Sequence, residues 1–383
     1  MNEEVKISFL GDLCPINEVD NLVVNNDFNN FSEMANLLIN KDLVIANLEC
    51  PLTKSKNKIK KIGPNLKGNP DSVKLLKYLS INLTALANNH IRDYGKQGIA
   101  DTFDCLNNNG IEYIGAGNNL IEARKPLIKE IKGIKIGFIN ICETEFNIAG
   151  ENDPGANPDD LIDTLKTIES IRTLVDFSIL IYHGGIEYYN LPSPILQKKL
   201  RFYASKGVDL IISHHTHIIS GFEIFDNTPI FYGLGNFIFD MGKKKKFWHE
   251  TILINVKIRK QSKVEFEIIP LVQCKGKAGV FPMNTLESKR LLEDINLLSA
   301  KIADDRMVYE NFKNMTDKYA KYLYANLFSF NKTHRRLMVR GLFPNFSLTQ
   351  RKKRILFNHF FCESHKEVVC ETLKNDIYAS RNF

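Results

Sequence analysis

Polar side chains that can bind a metal ion or move a proton follow six apolar, strand-like runs of this chain. The clusters are Gly11-Asp12, Asn47-Leu48-Glu49, Asn88-Asn89-His90, His183, His214-His215-Thr216-His217 and Asn236. Because the carboxyl ends of parallel strands meet at one edge of a sheet, we expect these side chains to form one site. A structural core does not need this arrangement, whereas a binuclear metal site does.

Two carboxylates, Asp12 and Glu49, are predicted to lie at adjacent strand ends. They would repel each other unless a metal ion, a lysine or a shared proton lay between them. Either acid alone is as well explained by a loop or a helix cap, but the pair together with the histidines is not. Cys14 follows Asp12 by two residues and could also reach a metal.

The third cluster combines neutral ligands with an acid/base pair. The amide oxygens of Asn88 and Asn89 suit a hard cation, and His90 could protonate a leaving group or hydrogen-bond a developing oxyanion. If His90 and Asp93 share the first turn of the following helix, the carboxylate can fix the tautomer of the imidazole. A structural histidine is the simpler alternative.

The later histidines fall into two groups. His183 precedes two glycines that let backbone approach a ligand, and Glu187 beyond them could act as a base or orient a neighbour. His215 and His217 are predicted to share one side of an extended segment, from which each could donate a ring nitrogen to a metal pair. On that prediction His214 points the other way, and it is expected to support a metal ligand or to pack against neighbouring side chains.

The elements that must position these residues read as a layered α/β fold. Residues 1–240 alternate strand-like runs with helical segments, and residues 220–272 change to short alternating runs typical of antiparallel strands. We therefore predict a pair of sheets flanked by helices over residues 1–280. Residues 281–383 are predicted to form a basic helical region. Two lysine-rich stretches, 54–61 and 243–246, are predicted exposed loops, and the second could cover the site.

Charge and cysteine usage restrict the setting of the protein. The net charge of +7 lies entirely in the last 53 residues, which hold 11 Lys and Arg against 4 Asp and Glu. This predicts an anionic partner for that region, such as a membrane surface, a polyanion or nucleic acid, unless it is simply a solvated helix face. No window reaches the roughly 20 apolar residues of a membrane helix.

Seven cysteines without a CxxC pair favour a reducing compartment, and the acidic start "MNEEVK" is unlike a secretory signal. We therefore predict a cytoplasmic protein without a transmembrane segment.

Taken in order, the clusters resemble the CapA family of capsule biosynthesis, also called poly-γ-glutamate synthesis proteins. The residues that carry the resemblance are "GD" at 11–12, "NLECPLT" at 47–53, "ALANNHIRDYG" at 85–95, "YHGGIEYY" at 182–189, "SHHTHIISGFE" at 213–223 and "YGLGNFIFD" at 232–240. They span about 230 residues. The family resemblance implies a calcineurin-like metallophosphatase fold, with layered sheets flanked by helices.

The same resemblance implies a set of two-metal ligands: Asp12, Glu49, Asn89, His183, His215 and His217. The other polar residues are expected to support these ligands or to contact substrate: Asn47, Asn88, His214, Asn236, Asp240 and Cys14. Two departures stand out. The chain reads Asp12-Leu13-Cys14 where the phosphatases usually have Asp-x-His, and Glu49 replaces the usual bridging aspartate.

The leading hypothesis is a CapA-type, metal-dependent hydrolase that acts on an anionic polymer or peptide by amide or phosphoester cleavage. Two divalent ions, Mn²⁺, Zn²⁺ or Fe, would suit the mixed nitrogen and oxygen ligands. His90 would be the general acid, Asp93 would orient it, and Glu187 would be a reserve base. A metal-free acid/base enzyme such as a peptide epimerase, and a non-catalytic polymer-binding accessory subunit, remain open alternatives.

Overall fold

The computed structural model describes residues 4–242, 247–260, 262–329, 331–342 and 349–379. The chain forms two compact units, Met1–Tyr309 and Glu310–Phe383. Every residue of the predicted site belongs to the first unit. The lysine run 243–246, predicted to cover that site, lies outside the described residues.

The secondary structure comprises sixteen strands and twelve α-helices within the described residues. The strands are β1 (Val5–Cys14), β2 (Leu43–Leu48), β3 (Leu83–Ala85), β4 (Glu112–Ile114), β5 (Ala116–Gly117), β6 (Leu127–Ile131), β7 (Ile134–Cys142), β8 (Gly155–Ala156), β9 (Phe177–His183), β10 (Leu210–His214), β11 (Phe222–Phe225), β12 (Thr228–Phe231), β13 (Asn236–Phe239), β14 (Glu250–Ile258), β15 (Glu265–Gln273) and β16 (Val280–Pro282). The helices are α1 (Glu18–Val24), α2 (Ser32–Leu38), α3 (Val73–Tyr78), α4 (Gly95–Asn107), α5 (Leu120–Arg124), α6 (Leu161–Ile171), α7 (Pro194–Ser205), α8 (Thr285–Ile302), α9 (Asp305–Phe328), α10 (Lys332–Val339), α11 (Gln350–Phe361) and α12 (Glu363–Ala379).

Two large sheets form the centre of the first unit. The first has eight strands in the order β16-β15-β14-β1-β2-β3-β4, with β13 also paired to β1, and the second has six in the order β11-β12-β10-β9-β7-β6. The N-terminal half of β1 pairs antiparallel with β14, whereas its last residues pair parallel with β13. This change of partner brings the start of β13 beside the end of β1.

The strands sort their side chains with a period of two. In β2, Leu43 and Ile45 join a core shared with β9 and β10 of the second sheet, while Val44 and Ala46 join a core with helices α1 to α4. A third core packs α6 and α7 against the other face of the second sheet. Successive residues of a strand face opposite sides, so strands buried on both faces read as continuous apolar runs. The predicted layered α/β fold is confirmed.

One part of the strand prediction is wrong. The runs after residue 220 were expected to be antiparallel throughout, and β11–β12 and β14–β15 are. However, β12 pairs parallel with β10, and β13 pairs parallel with β1. The chain crosses from the second sheet to the first between these strands. Gly235 makes the crossing possible, because its φ of 78° is a conformation that favours glycine.

The region after residue 282 is helical, as the sequence predicted. The side chain of Asn284 caps α8 by accepting a hydrogen bond from the backbone N–H of Glu287. Helix α8 packs on β11 and β15, so the first compact unit continues to Tyr309 and past the predicted domain boundary at residue 280. Among the described residues, no helix is both long enough and apolar enough to cross a membrane.

Candidate metal centre

At one place the carboxyl ends of strands from both sheets meet the amino end of β13. In the first sheet Asp12 lies across from Asn47 on β2 and from Asn236 on β13, and in the second sheet His183 lies across from His214. The sequence predicted one site at the edge of a single sheet. The structure instead places these residues between the ends of two sheets, which lets ligands approach the same point from opposite sides.

Asp12 is buried and surrounded by hydrogen-bond donors. Its Oδ1 accepts a hydrogen bond from Nδ2 of Asn47 at 2.9 Å, and its Oδ2 accepts one from the backbone N–H of His215 at 3.2 Å. Nδ1 of His214 lies 3.1 Å from Oδ1, and Nδ1 of His217 lies 3.5 Å from Oδ2. Burial alone would raise the pKa of Asp12, but hydrogen bonds to these two histidines bring that pKa well below its usual value. Asp12 is therefore a carboxylate at neutral pH.

Glu49 is in the opposite situation. Its side chain is fully buried, and neither carboxyl oxygen has a hydrogen-bond donor. Nε2 of His183 lies 3.6 Å from its Oε1, and Nε2 of His217 lies 3.8 Å from the same oxygen. Burial, together with the negative charge of Asp12, raises the pKa of Glu49 well above its usual value. A buried carboxyl group of this kind needs either a proton or a cation beside it.

Two groups of three side chains converge on this carboxyl group. The first is Glu49, His183 and His215, and the second is Asp12, Glu49 and His217, with the donor atoms of each group within 4.8 Å of one another. Oδ1 of Asn89 lies 3.1 Å from Nε2 of His183 and so adjoins the first group. Imidazole nitrogens combined with carboxylate oxygens are a usual ligand set for divalent transition metals. The residues present therefore offer two sets of donor atoms for a divalent metal, and both sets include Glu49.

The surrounding amides orient the imidazoles. Nδ1 of His217 lies 3.0 Å from Oδ1 of Asn236, an acceptor, so this ring carries its proton on Nδ1 and turns the lone pair of Nε2 toward Glu49. Nδ2 of Asn236 donates to the backbone carbonyl of His217 at 3.0 Å, which fixes the amide itself. The amide of Asn47 lies 3.1 Å from Nδ1 of His183.

The histidine loop has a strained backbone. His215 and His217 have φ values of 89° and 58°, in the region that non-glycine residues rarely adopt. The prediction of an extended segment through His215 and His217 is wrong, because β10 ends at His214 and a bend follows. Each such residue costs roughly 1–3 kcal/mol, and such strain is concentrated at functional sites. The bend places both imidazoles beside Glu49, whereas His214, the last residue of β10, lies beside Asp12.

Burial and mutual repulsion keep the imidazoles of His183 and His215 neutral. Burial lowers the pKa of His215 to about 4, with a further contribution from the nearby His217. Burial and the proximity of His215 hold the pKa of His183 well below its usual value. Because only a neutral imidazole has a lone pair for a metal ion, these histidines are ready to bind one at neutral pH.

His90 and Asp93 form an acid/base pair with an additional partner. Nδ1 of His90 donates to Oδ2 of Asp93 at 2.6 Å, and the ammonium of Lys61 forms an ion pair with Oδ1 of Asp93 and lies 3.2 Å from His90. Burial lowers the pKa of His90, although the hydrogen bond to Asp93 opposes this. The side chain of Lys61 is only 3% exposed. Its loop was predicted to be simply exposed, so sequence reasoning missed Lys61.

The remaining predicted residues differ in how they meet the centre. Nδ2 of Asn88 donates to the carbonyl of Leu48, which ties two strand ends together. Glu187 is exposed and acts on Glu49 only through its charge. Asp240 accepts the backbone N–H of Glu18 at the start of α1, and Cys14 is buried outside both ligand groups.

Comparison with known proteins identifies the family. A family model described as "Bacterial capsule synthesis protein PGA_cap" matches residues 6–241, more than half of the chain. The chain belongs to the PGA_cap family. The matched region contains every residue of the candidate metal centre and ends before α8.

Two curated capsule proteins and a solved structure are similar to most of this chain. The "PGA biosynthesis protein CapA" of Bacillus subtilis is 29% identical and covers 70% of this chain and 72% of its own length. The "Capsule biosynthesis protein CapA" of Bacillus anthracis is 27% identical and covers 84% of this chain and 81% of its own length. Among solved structures, a novel phosphatase of Mycoplasma pneumoniae matches with a TM-score of 0.43 at 18% identity, covering 71% of this chain and 95% of that one.

Proposed function

We propose that this PGA_cap protein is a metal-dependent hydrolase that acts on an anionic polymer or peptide during capsule synthesis or processing. The observation that carries the proposal is the fully buried carboxyl group of Glu49, which has no hydrogen-bond donor and is shared by two sets of metal-competent side chains. A buried acid without a hydrogen-bond donor destabilises a fold unless a counter-ion lies beside it. Such a group is therefore expected where it has a function.

The two metal positions follow from the donor atoms. One ion would be held by Glu49, His183, His215 and the amide oxygen of Asn89, and the other by Asp12, Glu49 and His217, with Mn²⁺, Zn²⁺ or Fe favoured by the mixed ligands. When bound, such ions polarise a substrate carbonyl or phosphoryl oxygen and make a water molecule acidic enough to attack it.

The chain's own acid/base groups would complete the reaction. His90 holds one proton on Nδ1 against Asp93, so Nε2 is the ring atom through which it can exchange a proton with a leaving group. Asp93 fixes this tautomer, and Lys61 fixes Asp93 through the buried ion pair. Glu187, at the exposed rim, is the reserve base. The substrate class rests on the names of the CapA relatives.

The first test is the metal content of the purified protein, measured by inductively coupled plasma mass spectrometry. We expect about two equivalents of a transition metal, and nearly complete loss in the His215→Ala/His217→Ala double variant because each ion loses an imidazole. The matched control is His359→Ala/His365→Ala, which removes two histidines from α11 and α12.

The same samples should then be assayed on amide and phosphoester substrates. Protein that holds no metal after growth in supplemented medium, or a double variant that retains both equivalents, would contradict the proposed centre. Metal-replete protein without hydrolysis of either class would contradict the hydrolase and leave the centre intact.

A metal-free acid/base enzyme is the second candidate. It is favoured by Cys14 standing where the phosphatases have a histidine, and by the His90–Asp93–Lys61 arrangement, which could transfer a proton without an ion. This candidate predicts activity that persists in EDTA, whereas the hydrolase predicts its loss. The cytoplasmic location stays a prediction from the free cysteines.

A further inference from the structure

The second compact unit carries a charge that the metal centre does not explain. Residues 310–383 contain 14 Lys and Arg but 6 Asp and Glu, for a net charge of +8, whereas the rest of the chain is at −1. The charge is concentrated in α10 and α11. Helix α11 alone has four basic residues and no acidic one within "QRKKRILFNHFF".

Helix α11 exposes both charged and large apolar side chains. Arg351, Lys352 and Arg354 are exposed, and none of them forms an ion pair with an acidic group of the described residues. Phe357 and Phe360, three positions apart on the same helix, are 64% and 58% exposed and lie on the side turned away from these three basic residues. Basic residues combined with exposed large apolar residues on one short helix are typical of segments that lie in a membrane interface.

The unit itself offers little to cover these apolar groups. Among its described side chains, the buried apolar ones are Ala325 and Met338. Val368 and Leu373 on the neighbouring α12 are 64% and 54% exposed, which extends the apolar surface beyond α11. An exposed apolar surface of this extent marks an interaction site.

We propose that α11 docks the protein on an anionic lipid bilayer, with its basic side chains at the headgroups and Phe357 and Phe360 in the acyl boundary. A soluble polyanion such as polyglutamate would neutralise Arg351, Lys352 and Arg354 but leave the apolar side chains in water. A second copy of the chain would cover the apolar side chains but would bring two units of +8 together. An anionic membrane would both neutralise the basic side chains and remove the apolar side chains from water. This inference is independent of the proposed hydrolase.

The test uses the full chain and vesicle co-sedimentation. We expect binding to phosphatidylcholine vesicles that contain about one quarter phosphatidylserine, and little binding to pure phosphatidylcholine. Arg351→Gln/Lys352→Gln/Arg354→Gln should lower the partition coefficient about 100-fold, because each basic group near an anionic surface contributes about a factor of five. Phe357→Ser/Phe360→Ser should lower it about 10-fold or more.

Two matched variants separate this docking from general surface effects. Lys56→Gln/Lys58→Gln/Lys60→Gln removes the same charge from the exposed loop of the first unit, and Ile121→Ser/Ile195→Ser changes two apolar residues that are 84% and 77% exposed. Neither should reduce vesicle binding more than about 2-fold. Equal losses in the α11 variants and in their controls would overturn the proposal.

Other occupants of α11 give different results. Binding to soluble polyglutamate that depends on Arg351, Lys352 and Arg354, without binding to anionic vesicles, would overturn the proposal in favour of a polymer site. A dimer in light scattering that Phe357→Ser/Phe360→Ser converts to a monomer, again without vesicle binding, would overturn it in favour of a second copy. Circular dichroism checks that both α11 variants remain folded.

Discussion

Replacing Glu49 with Gln is expected to stabilise the metal-free protein and to destabilise the metal-loaded one. In EDTA, wild-type Glu49 is a buried acid without a hydrogen-bond donor, and its folded-state pKa is raised well above its usual value. With metal, the same carboxyl group is the ligand common to both sets of donors. The variant therefore removes a buried, destabilising acid from the metal-free protein and a shared ligand from the metal-loaded protein.

The dependence on pH has a definite sign. A group with a raised folded-state pKa stabilises the fold below its unfolded-state pKa, and this contribution is lost as the pH rises through the window between the two values. For Glu49 that window begins near pH 4.5, and within it wild-type stability should fall relative to Glu49→Gln by about 1.4 kcal/mol per pH unit. Asp12 is present in both proteins and interacts with Glu49, so the difference between the two curves reports the Glu49 carboxyl group together with that interaction.

The measurement is urea unfolding across pH, in EDTA and in excess Mn²⁺ or Zn²⁺. At free metal of about 1,000 times its dissociation constant, wild type should gain about 4 kcal/mol per site, and most of that gain should be absent in Glu49→Gln. Glu130→Gln, at an exposed position on β6, is the control and should be neutral in both conditions. If the free energies of unfolding of wild type and Glu49→Gln in EDTA run parallel across pH, Glu49 is not a buried acid with a raised pKa.

The polar clusters were accessible from sequence because local rules produce them. Apolar runs that end in Asp12, Asn47 and His183 predict strand ends, and parallel pairing brings strand ends together. The strand register then places these residues side by side, since Asp12 lies directly across from Asn47 and His183 lies across from His214. Local patterns do not determine which sheet each strand joins. The position of the site between the ends of two sheets was therefore not predicted.

The conformation of the histidine loop also lay beyond the sequence pattern. The spacing of His215 and His217 suggested an extended segment, but positive φ angles at both residues bend the chain. Such angles are unfavourable for any residue with a side chain, so propensity argues against them and only the surrounding contacts can impose them. Here the backbone N–H of His215 donates to Asp12, a residue 203 positions away in the chain.

Lys61 shows the same limit at the level of a single side chain. Nothing in "KSKNKIKK" distinguishes it from the exposed Lys60 beside it, because the difference depends on how residues 54–69 fold around Asp93. The backbone N–H of Leu66 donates to the Asp93 carboxylate at 2.7 Å, and that of Ile59 donates to its backbone carbonyl at 3.0 Å. A low-complexity basic stretch thus contributes a buried cation through contacts that are not local.

Replacing Lys61 with Met should cost about 3–5 kcal/mol of unfolding free energy, because removal of one partner leaves a buried charge without compensation. The side chains of Lys61 and Asp93 are 3% and 0% exposed. The control is Lys166→Met, which breaks an ion pair whose side chains are 71% and 31% exposed and should cost less than about 1 kcal/mol. Urea unfolding of both variants measures the difference.

Two further readouts connect this loss to the site rather than to packing alone. The double variant Lys61→Met/Asp93→Asn should lose less than the sum of its single variants, since the second change removes the uncompensated charge. Hydrogen exchange should accelerate at the amides of Ile59 and Leu66, because both donate to Asp93. If Lys61→Met costs no more than Lys166→Met, Lys61 does not hold Asp93 in place, and His90 must be oriented by the carboxylate alone.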